Sequence, residues 1–263
     1  MLKKYAMNKY DKFLFADLDD TLFQSLEKCA PFGHSQDALR ATAFLADGSP
    51  ISYTTPGQRA FIEFILQGMT VIPTTARNIN AFNRVDIAFT SYAVLDYGGV
   101  VLNPDRSVDQ PWLDGMRDKM HLAMPGLEEL AALLDDYAAR SGFGGRARIV
   151  EDFATPFYLV LKDPAKGQET LAPFEREVAQ PWIDAGGRDY FIHRNGNNLA
   201  VLPNSLNKSH AVAHVTARLR EEHGDILTFG MGDSKSDARF MAACDYAIVP
   251  RRTQLAGLAL EPL

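Results

Sequence analysis

The stretch Phe13-Leu14-Phe15-Ala16-Asp17-Leu18-Asp19-Asp20-Thr21 joins an apolar run to two carboxylates placed two residues apart. The apolar run predicts a buried strand that ends at Asp17. Because residues i and i+2 of an extended chain point the same way, we expect Asp17 and Asp19 to face one site at the carboxyl edge of an α/β sheet. Two close carboxylates repel each other unless a cation or a proton lies between them. The stretch therefore predicts a magnesium site in which one carboxylate attacks and the other handles a proton, although a helix cap followed by a turn is an alternative interpretation.

A second apolar run, at 226–230, ends in a similar way. It is followed by Gly232 and Asp233, and a second carboxylate, Asp237, lies four residues later at the start of a helical pattern. The glycines at 230 and 232 would let the backbone turn tightly and approach a bound ion. Either carboxylate alone could instead cap a helix.

Two further polar positions complete a set suited to phosphoryl transfer. The apolar run 71–73 ends on Thr74 and Thr75, and alternation directs only one of them to the site; we favour Thr75 and keep Thr74 as the alternative. Lys208 opens the helical run 209–220, where the helix dipole mildly disfavours a cation, and this favours a functional role. A nucleophile, a cation cage, a hydroxyl and an ammonium are the parts that this chemistry needs.

These four signals, in this order, resemble the motifs of the haloacid dehalogenase (HAD) superfamily of phosphohydrolases. The matching positions are Asp17-x-Asp19-x-Thr21, Thr75, Lys208 and Gly232-Asp233-x-x-x-Asp237. The resemblance implies that Asp17 is a nucleophile that forms an aspartyl-phosphate, and that Asp19 is the general acid and base. It also implies that Thr75 and Lys208 hold the phosphoryl oxygens. The implied Mg²⁺ ligands are Asp17, Asp19 through its backbone carbonyl, Asp233 and Asp237, the last directly or through water.

The fold class expected from these patterns is α/β, with a Rossmann-like doubly wound parallel sheet as a HAD-like core and an inserted α+β cap. The expected division is core at 1–107, cap at 108–203 and core again at 204–263. Within the cap, a helical pattern over 112–140 is expected to break near Pro125-Gly126, and a second helix is expected over 170–183. Strand pairs are expected at 147–151 with 157–162 and at 190–193 with 199–202, the second pair around the hairpin signal Asn195-Gly196. Such a unit could form one antiparallel sheet with helices on one face.

The position of this insertion resembles that of the capped subgroup, which includes Cof-like proteins and the sucrose-phosphate, trehalose-phosphate and mannosyl-phosphoglycerate phosphatases. Tyr97-Gly98-Gly99 resembles the segment that precedes the cap in these proteins. Specificity should then reside in polar cap residues, although a solvated surface is the alternative for each. The candidate substrate-binding residues are Arg148, Lys162, His193 and Asn195, with Arg146, Arg194 and Asn197 as further polar positions.

The segment from about 22 to 55 is longer than a link between a strand and a helix requires. Its pattern predicts an extra hairpin, with strands at 41–46 and 51–55 on either side of Asp47-Gly48-Ser49-Pro50. This hairpin could form a flap over the substrate, a surface elaboration or a contact in a dimer.

Composition agrees with a globular enzyme. The 263 residues include 46% hydrophobic and 23% charged residues. A formal net charge of −6, without a basic stripe, argues against a nucleic-acid partner. Two cysteines imply no disulfide framework, and no apolar run reaches membrane-spanning length, so we expect a cytoplasmic protein without a membrane partner, as a monomer or homodimer.

Three functions fit the motifs. The first is a magnesium-dependent phosphatase that acts on a small phosphorylated metabolite, such as a sugar phosphate. The second is a phosphotransferase or phosphomutase, in which a sugar hydroxyl replaces water. The third is a receiver-like signalling module, although receivers lack a cap and lack the second carboxylate that Asp19 provides.

Overall fold

A computed structural model describes residues 10–165, 167, 169–195 and 198–260. They form two compact units, which we call the core unit and the cap unit. The core unit contains the residues up to Val108 and those from Lys208 onward, and the cap unit is Asp109–Asn207. Within the described part of the chain, no helix has both the length and the apolar character needed to cross a membrane.

Strands and helices alternate along most of the chain. The strands are β1 (Asp11–Ala16), β2 (Arg40–Phe44), β3 (Pro50–Thr54), β4 (Thr70–Pro73), β5 (Ala93–Leu95), β6 (Val100–Leu102), β7 (Ala147–Asp152), β8 (Thr155–Lys162), β9 (Tyr190–Asn195), β10 (Asn198–Pro203), β11 (Ile226–Met231) and β12 (Tyr246–Ile248). The α-helices are α1 (Leu26–Cys29), α2 (Pro56–Gly68), α3 (Ile79–Phe82), α4 (Gln110–Ser141), α5 (Ala172–Phe174), α6 (Gln180–Gly186), α7 (Lys208–His223), α8 (Lys235–Met241) and α9 (Gln254–Leu260).

The core sheet is parallel and has the strand order β12-β11-β1-β4. Strand β1 lies in the interior of the sheet, and its residues 13–16 are apolar and buried, as expected of a strand covered on both faces. Its last residue, Ala16, lies opposite Pro73 of β4 on one side and Met231 of β11 on the other. The three strands therefore end at the same level, so the residues that follow them meet at one edge of the sheet.

The segment before α2 contains the hairpin β2–β3. The hairpin is held to the loop after α3 by backbone hydrogen bonds, from Phe44 N–H to Arg84 O at 3.1 Å and from Asp86 N–H to Thr42 O at 2.7 Å. Thr55 then starts α2 through a capping box with Gln58, in which each side chain accepts a backbone N–H of the other residue. The hairpin is thus fixed to the core unit at two places.

The cap unit contains an antiparallel sheet with the strand order β7-β8-β10-β9. One face of this sheet is covered by helical segments. The cluster beneath them includes Leu130 and Leu134 of α4, Leu159 and Leu161 of β8, and Leu199 of β10. The predicted fold class, a parallel α/β core with an inserted α+β cap, is confirmed.

The predicted break near Pro125-Gly126 is wrong, because α4 runs through both residues without interruption. A proline inside a helix removes one backbone hydrogen bond and usually disturbs the preceding turn. Here the Tyr190 hydroxyl donates to Ala123 O at 2.7 Å, beside the proline. Gly126 leaves the space that the Tyr190 ring occupies, since a Cβ at this position would overlap it. A tertiary contact thus supports the helix where the local sequence disfavours it.

The helix expected over 170–183 is not one continuous α-helix. It consists of a 3₁₀ turn (Glu169–Leu171), α5, a π-helical segment (Glu175–Ala179) and α6. Pro173 and Pro181 each lie at the start of an α-helical segment, where a missing N–H is tolerated. The hairpin signal at 195–196 includes Gly196, which lies outside the described residues, as does Asn197.

Candidate active site

The carboxyl edge of the core sheet gathers the predicted polar residues. Asp17 follows β1, Thr75 comes two residues after β4, and Asp233 comes two residues after β11. Backbone hydrogen bonds continue the sheet by one residue, from Asp17 N–H to Met231 O and from Thr74 N–H to Ala16 O, both at 2.8 Å. The ends of the strands therefore determine where these side chains lie.

Three carboxylates and one ammonium form the centre of the site. Asp17, Asp233 and Asp237 each offer a carboxylate oxygen, and these oxygens lie within 4.8 Å of one another. The Lys208 Nζ lies 2.6 Å from Asp17 Oδ1 and 2.7 Å from Asp237 Oδ1. Asp17 is 6%, Lys208 5% and Asp237 1% exposed to solvent. The cluster has a formal charge of −2 when all four groups are ionised, which suits a divalent cation.

The pKa values in the cluster follow from burial and from this charge. Burial raises the pKa of Asp17 to about 7; Lys208 opposes the shift and the charge of Asp237 adds to it. Burial and the charges of Asp17 and Asp237 raise the pKa of Asp233 to about 8. Burial also acts to raise the pKa of Asp237, but Lys208 and the hydrogen bonds from Ser234 lower it overall. In the metal-free protein, Asp17 and Asp233 are therefore protonated more readily than an ordinary carboxyl group.

Asp237 supports the cluster from the first turn of α8. Its Oδ2 accepts the Ser234 N–H at 3.1 Å and the Ser234 hydroxyl at 2.6 Å, while its Oδ1 accepts from Lys208. Gly232 is required by this packing rather than by a left-handed turn: its φ is outside the left-handed range, and a Cβ would overlap the Asp237 side chain. Both oxygens of Asp237 are thus engaged by the protein.

The carboxylate of Asp19 lies outside the three-carboxylate cluster. Arg77 donates to both of its oxygens, with Nε to Oδ2 and Nη2 to Oδ1 each at 2.7 Å. The Arg77 side chain is 13% exposed and lies over the Phe23 ring, whereas the Asp19 side chain is 42% exposed. Asp17 and Asp19 differ in direction because the chain leaves β1 at Ala16 and folds into a turn. The pairing of Arg77 with Asp19 has no signal in the local sequence pattern.

The two threonines after β4 have different hydrogen bonds. The Thr74 hydroxyl donates to Ile72 O at 3.2 Å and is fully buried. The Thr75 oxygen accepts the Arg77 N–H at 3.1 Å, which leaves its own proton to donate. This difference favours Thr75 as the hydroxyl that contacts a substrate.

Two further residues contribute to the site and were given no role from the sequence. Thr21 donates to Asp17 Oδ2 at 3.1 Å and approaches Asp233 Oδ1 at 3.4 Å, and its place in the Asp17-x-Asp19-x-Thr21 motif was the available signal. Tyr97 is buried near the carboxylates, so burial and the charge of Asp17 raise its pKa. Its φ of 56° is left-handed, and its N–H donates to Thr75 O at 3.1 Å.

The candidate residues of the cap share one face of its sheet. Arg148 pairs with Val160, Lys162 with Asn198, and His193 with Ala200. Because side chains alternate along a strand, these residues point away from the face that carries Leu159, Leu161 and Leu199. Asn195 pairs with Asn198 at the end of β9, and its side chain lies outside the described part. Arg194 lies opposite Leu199, so it belongs to the other face of the sheet, and it forms an ion pair with Glu175 at 3.0 Å.

The donor set of the cluster fits a hard divalent cation. Mg²⁺ prefers oxygen ligands and is commonly bound through one or two carboxylates together with substrate phosphates. Asp17 and Asp233 have raised pKa values chiefly because they are buried, with the charge of Asp237 adding to the shift, and a cation would stabilise their ionised forms. The buried acidic cluster can therefore hold a metal ion.

No protein-family model matches the sequence, and no curated protein matches it in a sequence search. Solved structures do match. The sucrose-phosphatase of Synechocystis sp. PCC6803, in complex with sucrose and phosphate, is 15% identical, with a TM-score of 0.51, and the match covers 95% of this chain and 86% of that one. The C-terminal domain of the C. albicans trehalose-6-phosphate phosphatase is 11% identical, with a TM-score of 0.53, and the match covers 89% of this chain and 74% of that one.

The two proteins represent the capped subgroup whose motifs this sequence resembles. The alignments extend over nearly all of this chain, so they include both the core unit and the cap unit. The chain therefore has the fold of a capped HAD-superfamily phosphohydrolase. The fold that the resemblance predicted is confirmed.

Proposed function

We propose that this protein is a magnesium-dependent phosphatase that hydrolyses a small phosphomonoester, with a sugar phosphate as the preferred class, through a phosphorylated Asp17. One observation carries the proposal: Asp17, Asp233, Asp237 and Lys208 converge at the carboxyl edge of the core sheet. Ligands of α/β sheets bind at this edge, and phosphoryl transfer depends mainly on positioning and on fixed positive charge.

In this proposal, Asp17 and Asp233 would hold Mg²⁺ through their side chains and Asp19 through its backbone carbonyl. Asp237, whose oxygens accept from Lys208 and Ser234, would contribute directly or through water. When bound, the ion supplies positive charge that offsets the charge of the phosphate group.

The first half of the reaction transfers the phosphoryl group to the protein. A carboxylate oxygen of Asp17 attacks phosphorus, a new P–O bond forms to Asp17, and the bond between phosphorus and the ester oxygen breaks. Asp19, in its protonated form, gives its proton to the departing oxygen, so that an alcohol leaves. Lys208 and the Thr75 hydroxyl donate to the phosphoryl oxygens. Thr21 holds the Asp17 carboxylate in place through its hydrogen bond.

The second half regenerates the enzyme. A water molecule attacks phosphorus, the P–O bond to Asp17 breaks, and the proton of the water passes to Asp19. The products are inorganic phosphate, the Asp17 carboxylate and the protonated Asp19 that the next cycle needs. Arg77 orients Asp19 between these proton transfers through its two hydrogen bonds.

The choice of a sugar phosphate rests on two lines of support. The solved structures with similar folds are named as phosphatases of sucrose phosphate and trehalose 6-phosphate. In addition, the face of the cap sheet opposite its hydrophobic cluster carries basic and amide side chains suited to a polar substrate, among them Arg148, Lys162 and Asn198. Hydrogen-bonding groups of this kind recognise hydroxyls and anions.

The test is phosphate release from a panel of sugar phosphates and other small phosphomonoesters, measured with Mg²⁺ and with a chelator. Magnesium-dependent release concentrated on one or two sugar phosphates supports the proposal. Absence of release from every member, with folded protein, contradicts it and favours a signalling role. Transfer of phosphate to a sugar hydroxyl without free phosphate would instead identify a phosphotransferase.

A further inference from the structure

We infer that Tyr97 and Gly98 are positioning residues for the candidate active site. Both belong to the turn Asp96–Gly98, which joins β5 to β6 and which we call the buried turn. The buried turn fixes the backbone of Thr75 and Arg77, and through it the hydroxyl and the guanidinium that the proposed reaction uses. The inference deepens the proposed function and rests on it, because it assigns further residues to the same site.

The backbone conformation of the buried turn is unusual. The φ angles of Asp96, Tyr97 and Gly98 are 49°, 56° and 98°, so three successive residues are left-handed. Glycine and aspartate enter this region readily, whereas in tyrosine the Cβ atom is brought too close to the following carbonyl oxygen. Such strain persists only where the surrounding structure enforces it, and strained residues are concentrated at functional sites. The conformation of Tyr97 therefore indicates a role at the site rather than a local preference.

The location of the turn is also unusual. Strands β5 and β6 and all three residues of the buried turn are buried, with Asp96 0% and Tyr97 8% exposed. Turns between strands normally lie on the surface, because every buried N–H and C=O group needs a hydrogen-bond partner. The backbone partners of this turn therefore show which part of the molecule it holds.

Two N–H groups of the buried turn donate to the loop that carries Thr75 and Arg77. Tyr97 N–H donates to Thr75 O at 3.1 Å, and Asp96 N–H donates to Arg77 O at 3.0 Å. Thr75 N–H in turn donates to Val94 O of β5 at 2.8 Å. Because Thr75 and Arg77 belong to no helix or strand, their backbone is held by these hydrogen bonds rather than by a regular ladder.

The loop that the buried turn holds presents two side chains of the proposed reaction. The Thr75 oxygen accepts the Arg77 N–H at 3.1 Å, and Arg77 donates to both oxygens of Asp19. A shift of the loop backbone would therefore move the hydroxyl and the guanidinium together. A displacement of about 1 Å in a catalytic arrangement can lower a rate by about 100-fold.

The buried turn also lies close to the carboxylate cluster. It packs against α7, the helix that begins with Lys208. Burial, and then the charges of Asp17, Asp237 and Asp19, raise the pKa of Tyr97, so its phenol stays neutral. The ring therefore adds no charge beside the carboxylates, while the backbone of the same residue holds the loop.

Two substitutions at position 97 separate the effect of the turn from that of the ring. Tyr97→Asn and Tyr97→Thr remove the same ring and introduce side chains of similar size. Asparagine adopts the left-handed conformation readily, whereas threonine, which is β-branched, does not. A difference between the two variants therefore reports the conformation of the turn, and a change common to both reports the loss of the ring.

Glycine substitutions give an independent comparison that keeps the ring. Gly98→Ala strains the buried turn directly, because the φ of 98° favours glycine. The matched control is Gly224→Ala, with a φ of 74° just after α7, where a Cβ would meet nothing within 4 Å. Gly224 precedes β11, so it lies at the amino edge of the core sheet, opposite the site.

The first arm of the test measures the placement of Arg77 without catalysis. The Nε–H signal of Arg77 is followed by NMR in the full chain labelled with ¹⁵N, and it is assigned by its loss in Arg77→Gln. We expect the signal to shift or disappear in Tyr97→Thr and Gly98→Ala, and to stay in place in Tyr97→Asn and Gly224→Ala. An unchanged signal in folded Tyr97→Thr would overturn the inference, and so would equal changes in the two variants at position 97. If Gly98→Ala does not fold, the pair at position 97 decides.

The second arm measures turnover of the best substrate in the panel. We expect kcat of Tyr97→Thr to be about tenfold below that of Tyr97→Asn, with a smaller difference in KM. In an Arg77→Gln background this difference should shrink, since the turn acts in part through Arg77. Equal kcat values, or a difference that is undiminished in that background, would overturn the inference. A response of the Arg77 signal in a protein that hydrolyses no phosphomonoester would refute the phosphatase proposal and leave the positioning of Arg77 by the buried turn standing.

Discussion

The carboxyl edge of the core sheet and the face of the cap sheet opposite its hydrophobic cluster both gather charged side chains, but these side chains differ in burial and in pairing. In the core, Lys208 lies within 2.7 Å of two buried carboxylates, and Arg77 holds both oxygens of Asp19. In the cap, Arg148 and Lys162 are exposed and have no such partners among the residues that the structure describes. Paired and buried charges cannot reorient easily, so they suit a reaction that depends on positioning. Unpaired charges on a surface remain available for a ligand, and they suit recognition.

If the core edge performs the chemistry, Asp17→Asn should have the largest effect. Asparagine keeps the shape of the side chain but is a poor nucleophile, so we expect kcat to fall by about 10⁴-fold or more. Thermal unfolding should be unchanged or shifted slightly upward, because the substitution removes a buried negative charge. Magnesium-dependent turnover retained in a folded Asp17→Asn variant would show that the core edge is not the reacting centre.

Lys208→Met tests whether the ion pairs of Lys208 with Asp17 and Asp237 stabilise the fold as well as serve catalysis. Breaking a buried ion pair leaves carboxylates without their cation, so we expect a loss of about 3–5 kcal/mol in the free energy of unfolding in urea at pH 8. Protonation can neutralise the same carboxylates, so the loss should shrink as the pH falls to 6.

The matched control for this prediction is Lys235→Met at the start of α8, where the side chain is exposed. It should change the free energy of unfolding by no more than about 0.5 kcal/mol. Equal effects of the two substitutions would remove the contrast between buried and exposed cations on which the comparison rests.

Arg77→Gln should have an intermediate effect, since Arg77 orients Asp19 without taking part in bond making. We expect kcat to fall by about 10- to 100-fold with a smaller change in KM, less than the loss from removing a general acid and base outright. Arg84→Gln is the control, because Arg84 donates to a backbone carbonyl, Phe44 O, in the same unit. An unchanged kcat in Arg77→Gln would exclude the role of this ion pair in catalysis.

Magnesium binding should release protons, and the resulting pH dependence of magnesium affinity is the smallest effect that we expect. The pKa of Asp17 is about 7 and that of Asp233 about 8 in the metal-free protein, so both carboxylates carry protons below these values. A cation displaces them, and its affinity should therefore rise by about tenfold or more between pH 6 and pH 8. Calorimetric titration in two buffers of different ionisation enthalpy would measure the protons released. An affinity that is flat across this range would contradict the assigned cluster.

The fold of the core unit could be predicted from the sequence because the patterns that indicate its strands are local. Apolar runs that end on Asp17, Thr75 and Asp233 predict parallel strands, and parallel strands of equal register bring their carboxyl ends together. The order of the motifs predicted where the cap is inserted. With the strand register known, the alternation of side chains along a strand places Arg148 and Lys162 on the same face of the cap sheet.

Other features depend on contacts between residues distant in sequence. The ion pair between Asp19 and Arg77 joins positions 58 residues apart, and no local sequence pattern predicts it. In α4, the Tyr190 hydroxyl that donates to Ala123 O beside Pro125 comes from a residue far along the chain. Tyr97 contributes to the site through a left-handed backbone conformation that its residue type does not favour.

The most direct test of the account is to look for phosphate on Asp17. Asp19→Asn should slow breakdown of the phosphorylated enzyme, because the attacking water loses its base. The variant is mixed with Mg²⁺ and the best substrate of the panel, quenched in acid, and digested for peptide mass spectrometry. The account predicts that the peptide containing Asp17 gains the mass of one phosphoryl group, and that Asp17→Asn/Asp19→Asn does not. Turnover by the unmodified enzyme without any phosphorylated Asp17 in the trapped variant would contradict it.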